Sequence, residues 1–170
     1  NKLADAPLRL AQAHALQALC AAHAVPPLIN DEVELAVAVG AAGVHLGEDD
    51  GELAAARARL GADAIIGASC YNDPALASRA IDAGASYVAW GAFYPSSTKP
   101  LARRADVQLL HDGRALGLPQ VAIGGLTPDN AGVLVDAGAD LLAVISGIYA
   151  APDPLAALRA YQACFEGTSP

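Results

Sequence analysis

The sequence predicts an α/β fold around a buried parallel sheet, and three observations carry that prediction. Short apolar segments alternate with helical segments along all 170 residues. Hydrophobic residues make up 54% of the chain and charged ones 16%, which suits strands covered on both faces by helices. The phrases "AVGAAGVHL", "DAGASYVAW" and "DAGADLLAV" repeat one helix–turn–strand unit.

Taken in order, an Ala- and Leu-rich helical pattern covers Ala6 to Ala24. A short apolar strand follows at Pro27 to Ile29, stopped by Asn30-Asp31, and Glu32 to Val39 is helical. Gly43 to Leu46 is a strand, Gly51 to Leu60 an Ala-rich helix, and Ala64 to Ala68 a strand. Pro74 to Ala83 is a helix and Ser86 to Trp90 a strand; a weaker helical pattern lies near Ala105 to Leu116. Gln120 to Ile123 is a strand, and Pro128 to Ala137 a helix with Pro in its first turn. Leu141 to Ile145 is a strand and Pro154 to Phe165 the last helix. Three helices end in Gly plus a small residue: Gly40-Ala41, Gly84-Ala85 and Gly138-Ala139.

Polar and glycine residues follow the carboxyl end of every strand: Asn30-Asp31, Gly47 to Asp50, Ser69-Cys70-Tyr71, Gly91 to Lys99, Gly124-Gly125 and Ser146-Gly147. A doubly wound sheet concentrates its site at one switch point, whereas a closed (β/α)8 TIM barrel gathers every strand end on one face. The pattern therefore favours the barrel. A barrel has eight strands and usually ~200 residues or more, and only six strands are legible here. The expectation is a single barrel domain over residues 1–170 whose first two strands and one helix are missing from the chain as given.

Composition limits the partners. Acidic residues outnumber basic ones 18 to 10, a net charge of −8, which argues against nucleic acid or an anionic membrane surface. A small anionic ligand stays open, because a local Lys, backbone N–H groups and a bound cation can hold phosphate inside an acidic protein. No run of ~18 apolar residues marks a membrane span, and the opening Asn1-Lys2-Leu3-Ala4-Asp5 does not read as a signal peptide. Cys20, Cys70 and Cys164 are odd in number and widely spaced, with no disulfide or zinc pattern. A reducing cytoplasm is the simplest compartment.

Asp31 and Asp50 each have two readings. Either could cap the helix that follows. Together, topping neighbouring strands, they could hold Mg²⁺, which takes one or two carboxylates plus phosphate oxygens. The Gly91–Pro100 stretch, "GAFYPSSTKP", is either a surface loop or an anion site. Lys is scarce, only Lys2 and Lys99, and Lys99 lies beside hydroxyls, which suits an anion. In "IGGLTP" the Gly pair bares backbone N–H groups, and the helix after it would add a favourable dipole. Val144-Ile145-Ser146-Gly147 supplies the other half of a phosphate site, these being the last two strand-end loops of the expected barrel. His45 reads as a packed, hydrogen-bonded histidine rather than a metal ligand. Cys70 reads as a strand-end packing residue, and Trp90 as core.

The stretches "LINDEVELAVAVGAAGVHLGEDD", "IIGASCYN", "YVAWGAFYPSSTKP", "VAIGGLTPDN" and "AGADLLAVISGIY", in this order and spacing, resemble the thiamine-phosphate synthase family from Lys2 to about Tyr149. The resemblance implies a (β/α)8 enzyme that couples hydroxymethylpyrimidine diphosphate with a thiazole phosphate, releasing pyrophosphate, with Mg²⁺ as cofactor. It implies Asp31 and Asp50 as metal ligands, and Asn30, Ser69 and Lys99 as catalytic residues at the pyrimidine diphosphate. Lys2 matches the lysine of a Gln-x-Arg-x-Lys segment whose Gln and Arg would fall before Asn1. Ser96 and Thr98 match a hydroxyl pair toward the thiazole phosphate, and Gly125, Ile145 and Ser146 its phosphate cradle. Glu48 stands where the family often has Gln, and Ser96 where it often has Thr. The implied partners are these small molecules, with no nucleic acid and no membrane; a homo-oligomer is compatible. A thiazole tautomerase-like relative, a non-catalytic phosphate-binding barrel and a sugar-phosphate isomerase barrel are the rival expectations.

Overall fold

The punctuation of the sequence becomes geometry at the helix ends. In the computed structural model, which describes residues 4–48, 52–95 and 103–167, all three Gly-Ala pairs close a helix in the same way. Gly40, Gly84 and Gly138 have φ of 64°, 88° and 119°, left-handed backbone that glycine adopts without a Cβ penalty. The next residue then donates to a carbonyl five positions back: Ala41 to Ala36, Ala85 to Ala80 and Ala139 to Leu134, each at 2.9 Å. This is the Schellman closure. One residue later the chain has already joined a neighbouring segment: Ala42 N–H donates to the Pro27 carbonyl, Ser86 to Ile66 and Asp140 to Gln120.

The described residues form two compact units, Asn1–Ser69 with Arg79–Ser86, and Cys70–Ser78 with Tyr87–Pro170. The first unit contains helix α1 (Ala6–Ala22), strand β1 (Leu28–Asn30), α2 (Val33–Val39), β2 (Gly43–Leu46), α3 (Leu53–Leu60) and most of β3 (Ile65–Tyr71). These strands are parallel, and the register pairs Asn30 with His45 and His45 with Gly67. Val44, Leu46 and Ile66 pack against Ala36 of α2 and Ala56 of α3. Strand alternation then puts Asn30, His45 and Ser69 on the opposite face. Arg57 of α3 ties the unit together: its guanidinium donates to the carbonyls of Gly61, Ala62, Ala64 and Gly84 and to Ser86 Oγ, at 2.7 to 3.1 Å.

The second unit holds β4 (Tyr87–Gly91), α5 (Gln108–Gly113), β5 (Gln120–Ile123), α6 (Pro128–Ala137), β6 (Leu141–Ala143), α7 (Ser146–Tyr149) and α8 (Pro154–Glu166). Its strands are also parallel, β4 beside β5 and β5 beside β6. Helix α4 (Pro74–Asp82) spans the boundary in sequence. The buried polar side chain of this core is Gln120, 2% exposed. Its Oε1 accepts from Trp90 Nε1 at 2.8 Å, and its Nε2 donates to the carbonyls of Leu110 and Gly138. Trp90 is thus a core residue, as the sequence suggests. No helix of the described residues is long and apolar enough to cross a membrane.

Several expected boundaries shift for physical reasons. Helix α1 stops at Ala22, and Ala24 turns to φ 53°. Strand β1 takes in Asn30, whose pairing with His45 extends the ladder. Strand β3 runs on to Tyr71 because burial continues to alternate through Ile66, Ala68 and Cys70; Ser69 and Cys70 lie in the strand, not in a loop after it. Cys70 is fully buried, the packing role expected of it. Strand β4 is displaced by one residue to Tyr87–Gly91. Helix α5 is shorter than its pattern because the Ala105 N–H goes to the Ala92 carbonyl, and Asp106 Oδ1 takes the Gln108 N–H at 2.8 Å. The remainder of that pattern, Arg114–Leu116, tightens into a 3₁₀ turn. Strand β6 ends at Ala143. Ile145 is at φ −116°, ψ −81°, and opens the one-turn helix α7, which the β-branched Val144-Ile145 pair conceals.

Candidate active site

Two groups of residues carry the candidate chemistry, one in each unit. In the first, β1, β2 and β3 present Asn30, His45 and Ser69 as a row across three adjacent strands. His45 Nε2 lies 2.8 Å from Ser69 Oγ. Gly67, the register partner of His45, has no side chain to stand between them. Asp31 follows Asn30 directly in a left-handed conformation, φ 66°, which costs a non-glycine residue ~1 kcal/mol. Asp is among the residues that tolerate it, and the Asp31 N–H is anchored on the His45 carbonyl at 2.9 Å.

The cap of α2 bears on the two readings of Asp31. Glu32, not Asp31, occupies the N-cap of α2, and the cap position makes no side-chain hydrogen bond. The Asp31 carboxylate has one oxygen, Oδ2, shielded from solvent. A carboxylate at this turn is a hard oxygen donor of the kind a hard divalent cation takes. Glu48 is exposed. Asp50, the second expected ligand, lies outside the described residues, as do Lys2, Ser96, Thr98 and Lys99. Among the described residues no three His, Cys, Asp or Glu side chains cluster as a metal site.

The second group surrounds the Gly pair. The stretch after β4 continues the ladder: Phe93 N–H donates to the Ile123 carbonyl and Tyr94 N–H to Gly124, at 3.1 and 3.0 Å. Tyr94 Oη donates to the Asn130 carbonyl at 3.0 Å. The other end of that loop is fastened too, since Ala92 and Arg103 share a backbone hydrogen bond and the Arg103 guanidinium sits 4.4 Å above the Tyr71 ring. The base of the loop is therefore built rather than loose. Gly125, φ 64°, lies under the Tyr94–Pro95 peptide, where a Cβ would collide with backbone.

At the start of α6 a capping box takes up N–H groups that the sequence leaves bare. Asn130 Oδ1 accepts the Thr127 N–H at 2.9 Å, so α6 closes its own first turn. The available donors are instead the Gly124 and Gly125 N–H groups and those opening α7, Ser146 and Gly147; among the described residues none of these N–H groups has a partner. Ile145 and Ser146 are exposed beside them. Tyr161 of α8 joins the two segments: its Oη donates to the Leu126 carbonyl at 2.8 Å and stands where a Cβ on Gly147 would be. Burial pushes the Tyr161 phenol above its ordinary pKa, with Cys164 a smaller contributor, so it remains a donor. Sequence reasoning missed Tyr161, because a Tyr on an amphipathic helix gives no signal of what it touches.

A parallel α/β architecture with polar and glycine-rich strand ends is the frame of an α/β enzyme. The comparisons specify which. The family described as thiamine monophosphate synthase matches residues 1–148. The chain is 64% identical over 165 residues to the thiamine-phosphate synthase of Xanthomonas campestris pv. campestris (strain 8004), spanning 97% of this chain and 80% of that protein. It is 58% identical to the thiamine-phosphate synthase of Xylella fastidiosa (strain Temecula1), spanning 97% of this chain and 70% of that one. The structure of a thiamine phosphate pyrophosphorylase from Pyrococcus furiosus superposes with a TM-score of 0.88 at 30% identity, covering 98% of this chain and 80% of its own. A 3-hexulose-6-phosphate synthase from Salmonella typhimurium, TM-score 0.67 at 19% identity, shares the fold. The chain belongs to the thiamine monophosphate synthase family and is a transferase.

Proposed function

We propose that this transferase couples hydroxymethylpyrimidine diphosphate with a thiazole phosphate, giving thiamine phosphate and pyrophosphate, with Mg²⁺ as cofactor. The observation that carries the metal part is the Asp31 turn: a carboxylate held in a costly backbone conformation at a strand end, one residue before the N-cap of α2. Asp31 and Asp50 would hold the cation. When bound, it would offset charge on the leaving diphosphate. Asn30, Ser69, Lys99 and Lys2 would bind and orient the pyrimidine diphosphate. Ser96 and Thr98, with Gly125, Ile145 and Ser146, would hold the thiazole phosphate. The carbon–oxygen bond to the diphosphate breaks with its electron pair leaving on pyrophosphate, and the thiazole nitrogen lone pair forms the new carbon–nitrogen bond. The residues serve this step by placing the nitrogen on the vacated face and by excluding water. The same reading takes the parallel strands, each followed by a helix, as part of a (β/α)8 barrel.

The test is a coupling assay on the full-length protein with both substrates and Mg²⁺, beside an EDTA control. Mg²⁺-dependent formation of thiamine phosphate and pyrophosphate is expected. A folded protein that forms no product, or forms it equally in EDTA, removes the substrates or the metal from the reading.

A further inference from the structure

We infer that His45 is a positioning residue for Ser69, fixing the direction in which the serine hydroxyl donates; this rests on the reading that Ser69 holds the pyrimidine diphosphate. Four observations support it. The imidazole Nε2 is 2.8 Å from Ser69 Oγ. Both side chains lie on the face of β2 and β3 turned away from the packed helices, the face that also carries Asn30. The register sets His45 opposite Gly67, so the ring reaches diagonally to Ser69 without crossing a side chain. The His45 carbonyl also anchors Asp31, so one residue braces both neighbours through separate groups.

The chemistry follows from counting protons. A serine hydroxyl has one proton and two lone pairs. A diphosphate offers acceptors only, so Ser69 must donate toward it. It can do so only if the bond to His45 uses an Oγ lone pair, which requires Nε2 to carry hydrogen and donate. With Nε2 unprotonated, the serine proton would be spent on the imidazole and a lone pair would face the anion. His45 is thus assigned the Nε2–H form, which leaves the Ser69 proton directed at substrate.

Two measurements on the full-length protein test this. In steady-state kinetics, His45→Ala is expected to lower kcat/KM for the pyrimidine diphosphate about tenfold, the size of one lost charge-assisted hydrogen bond, with KM for the thiazole phosphate unchanged. Gln reproduces the Nε2 reach, so His45→Gln should recover most of the loss and His45→Asn should not. The double variant with Ser69→Ala should be little worse than Ser69→Ala alone. Full activity in His45→Ala, or additive losses in the double variant, overturns the assignment while leaving the synthase reading intact. Nitrogen-15 NMR of the His45 ring reads the proton without turnover: an Nε2–H that changes on Ser69→Ala is expected, and an unprotonated Nε2 overturns the proposal even in an inactive protein.

Discussion

Asp31 shows how much one side chain's backbone matters to a mutational test. Because it sits at φ 66°, Asp31→Ala would add backbone strain to the loss of charge. Asp31→Asn is the cleaner variant, since Asn tolerates the same conformation while giving up the carboxylate. We expect Asp31→Asn to cut Mg²⁺-dependent turnover about 100-fold, the upper range for disturbing a metal site, with an unchanged thermal midpoint; turnover within a fewfold of the parent removes Asp31 from the metal. Gln120 is the opposite kind of residue, important for stability and remote from chemistry. Gln120→Leu would strand the Trp90 N–H and two carbonyls in a dry core. The expected loss is about 3 kcal/mol or more, read as a shift in urea midpoint; a loss below ~1 kcal/mol would show that water replaces the amide. The residues proposed for the site stand out one by one in the sequence, because Asp after a strand and Gly-Gly before a helix are local signals. The His45–Ser69 contact was legible only as a hydrogen-bonded histidine of unknown partner, since that partner is fixed by strand register.

Among the elements, three bounded by glycine or proline were placed correctly by the sequence. Strand β2, strand β5 and helix α6 begin and end where expected, because Gly43, Pro128 and Gly138 act through their own backbone. Strand β3 and helix α7 were misread because their limits depend on packing: Cys70 is fully buried, and α7 forms where Gly147 tucks beside Tyr161. The three helix-closing glycines also differ in a testable way. A Cβ on Gly40 would meet nothing within 4 Å, whereas on Gly138 it would meet Arg114 at 2.7 Å and the Leu110 carbonyl at 3.2 Å. Gly40→Ala should therefore cost only the left-handed strain, ~1 kcal/mol, and Gly138→Ala distinctly more. Equal losses by chemical denaturation would mean that Arg114 moves aside freely.

For the protein as a whole, charge sets the response to pH. Burial pushes the Tyr87 phenol up to about 12 from an ordinary 10.0. Between those values the unfolded chain gives up this proton and the folded chain keeps it, so stability falls as pH rises. Tyr87→Phe should flatten the decline of melting temperature over that interval; a parallel decline would assign it to other groups. At the acid end, Arg59 holds the Glu34 carboxyl below its usual range, chiefly through their hydrogen bond. That contribution is present at neutral pH and is lost as pH falls through the depressed value. The pair is fully exposed, so the effect should fade with added salt.

The repeated glycine closure also behaves as a phase reference. Each strand that follows it starts a fixed number of residues later, and strand side chains alternate. The parity of the count from the glycine therefore decides which residues meet the helices and which meet the opposite face. From Gly40, even steps reach Val44 and Leu46 in the core, and an odd step reaches His45. From Gly138, the fifth residue is Ala143, paired with the exposed Ile123. A single inserted residue between cap and strand would invert this pattern wholesale, burying the polar row and exposing the core. Natural length variation should accordingly be absent from these short segments and collect in the loops that follow the strands, where a change of count shifts no frame.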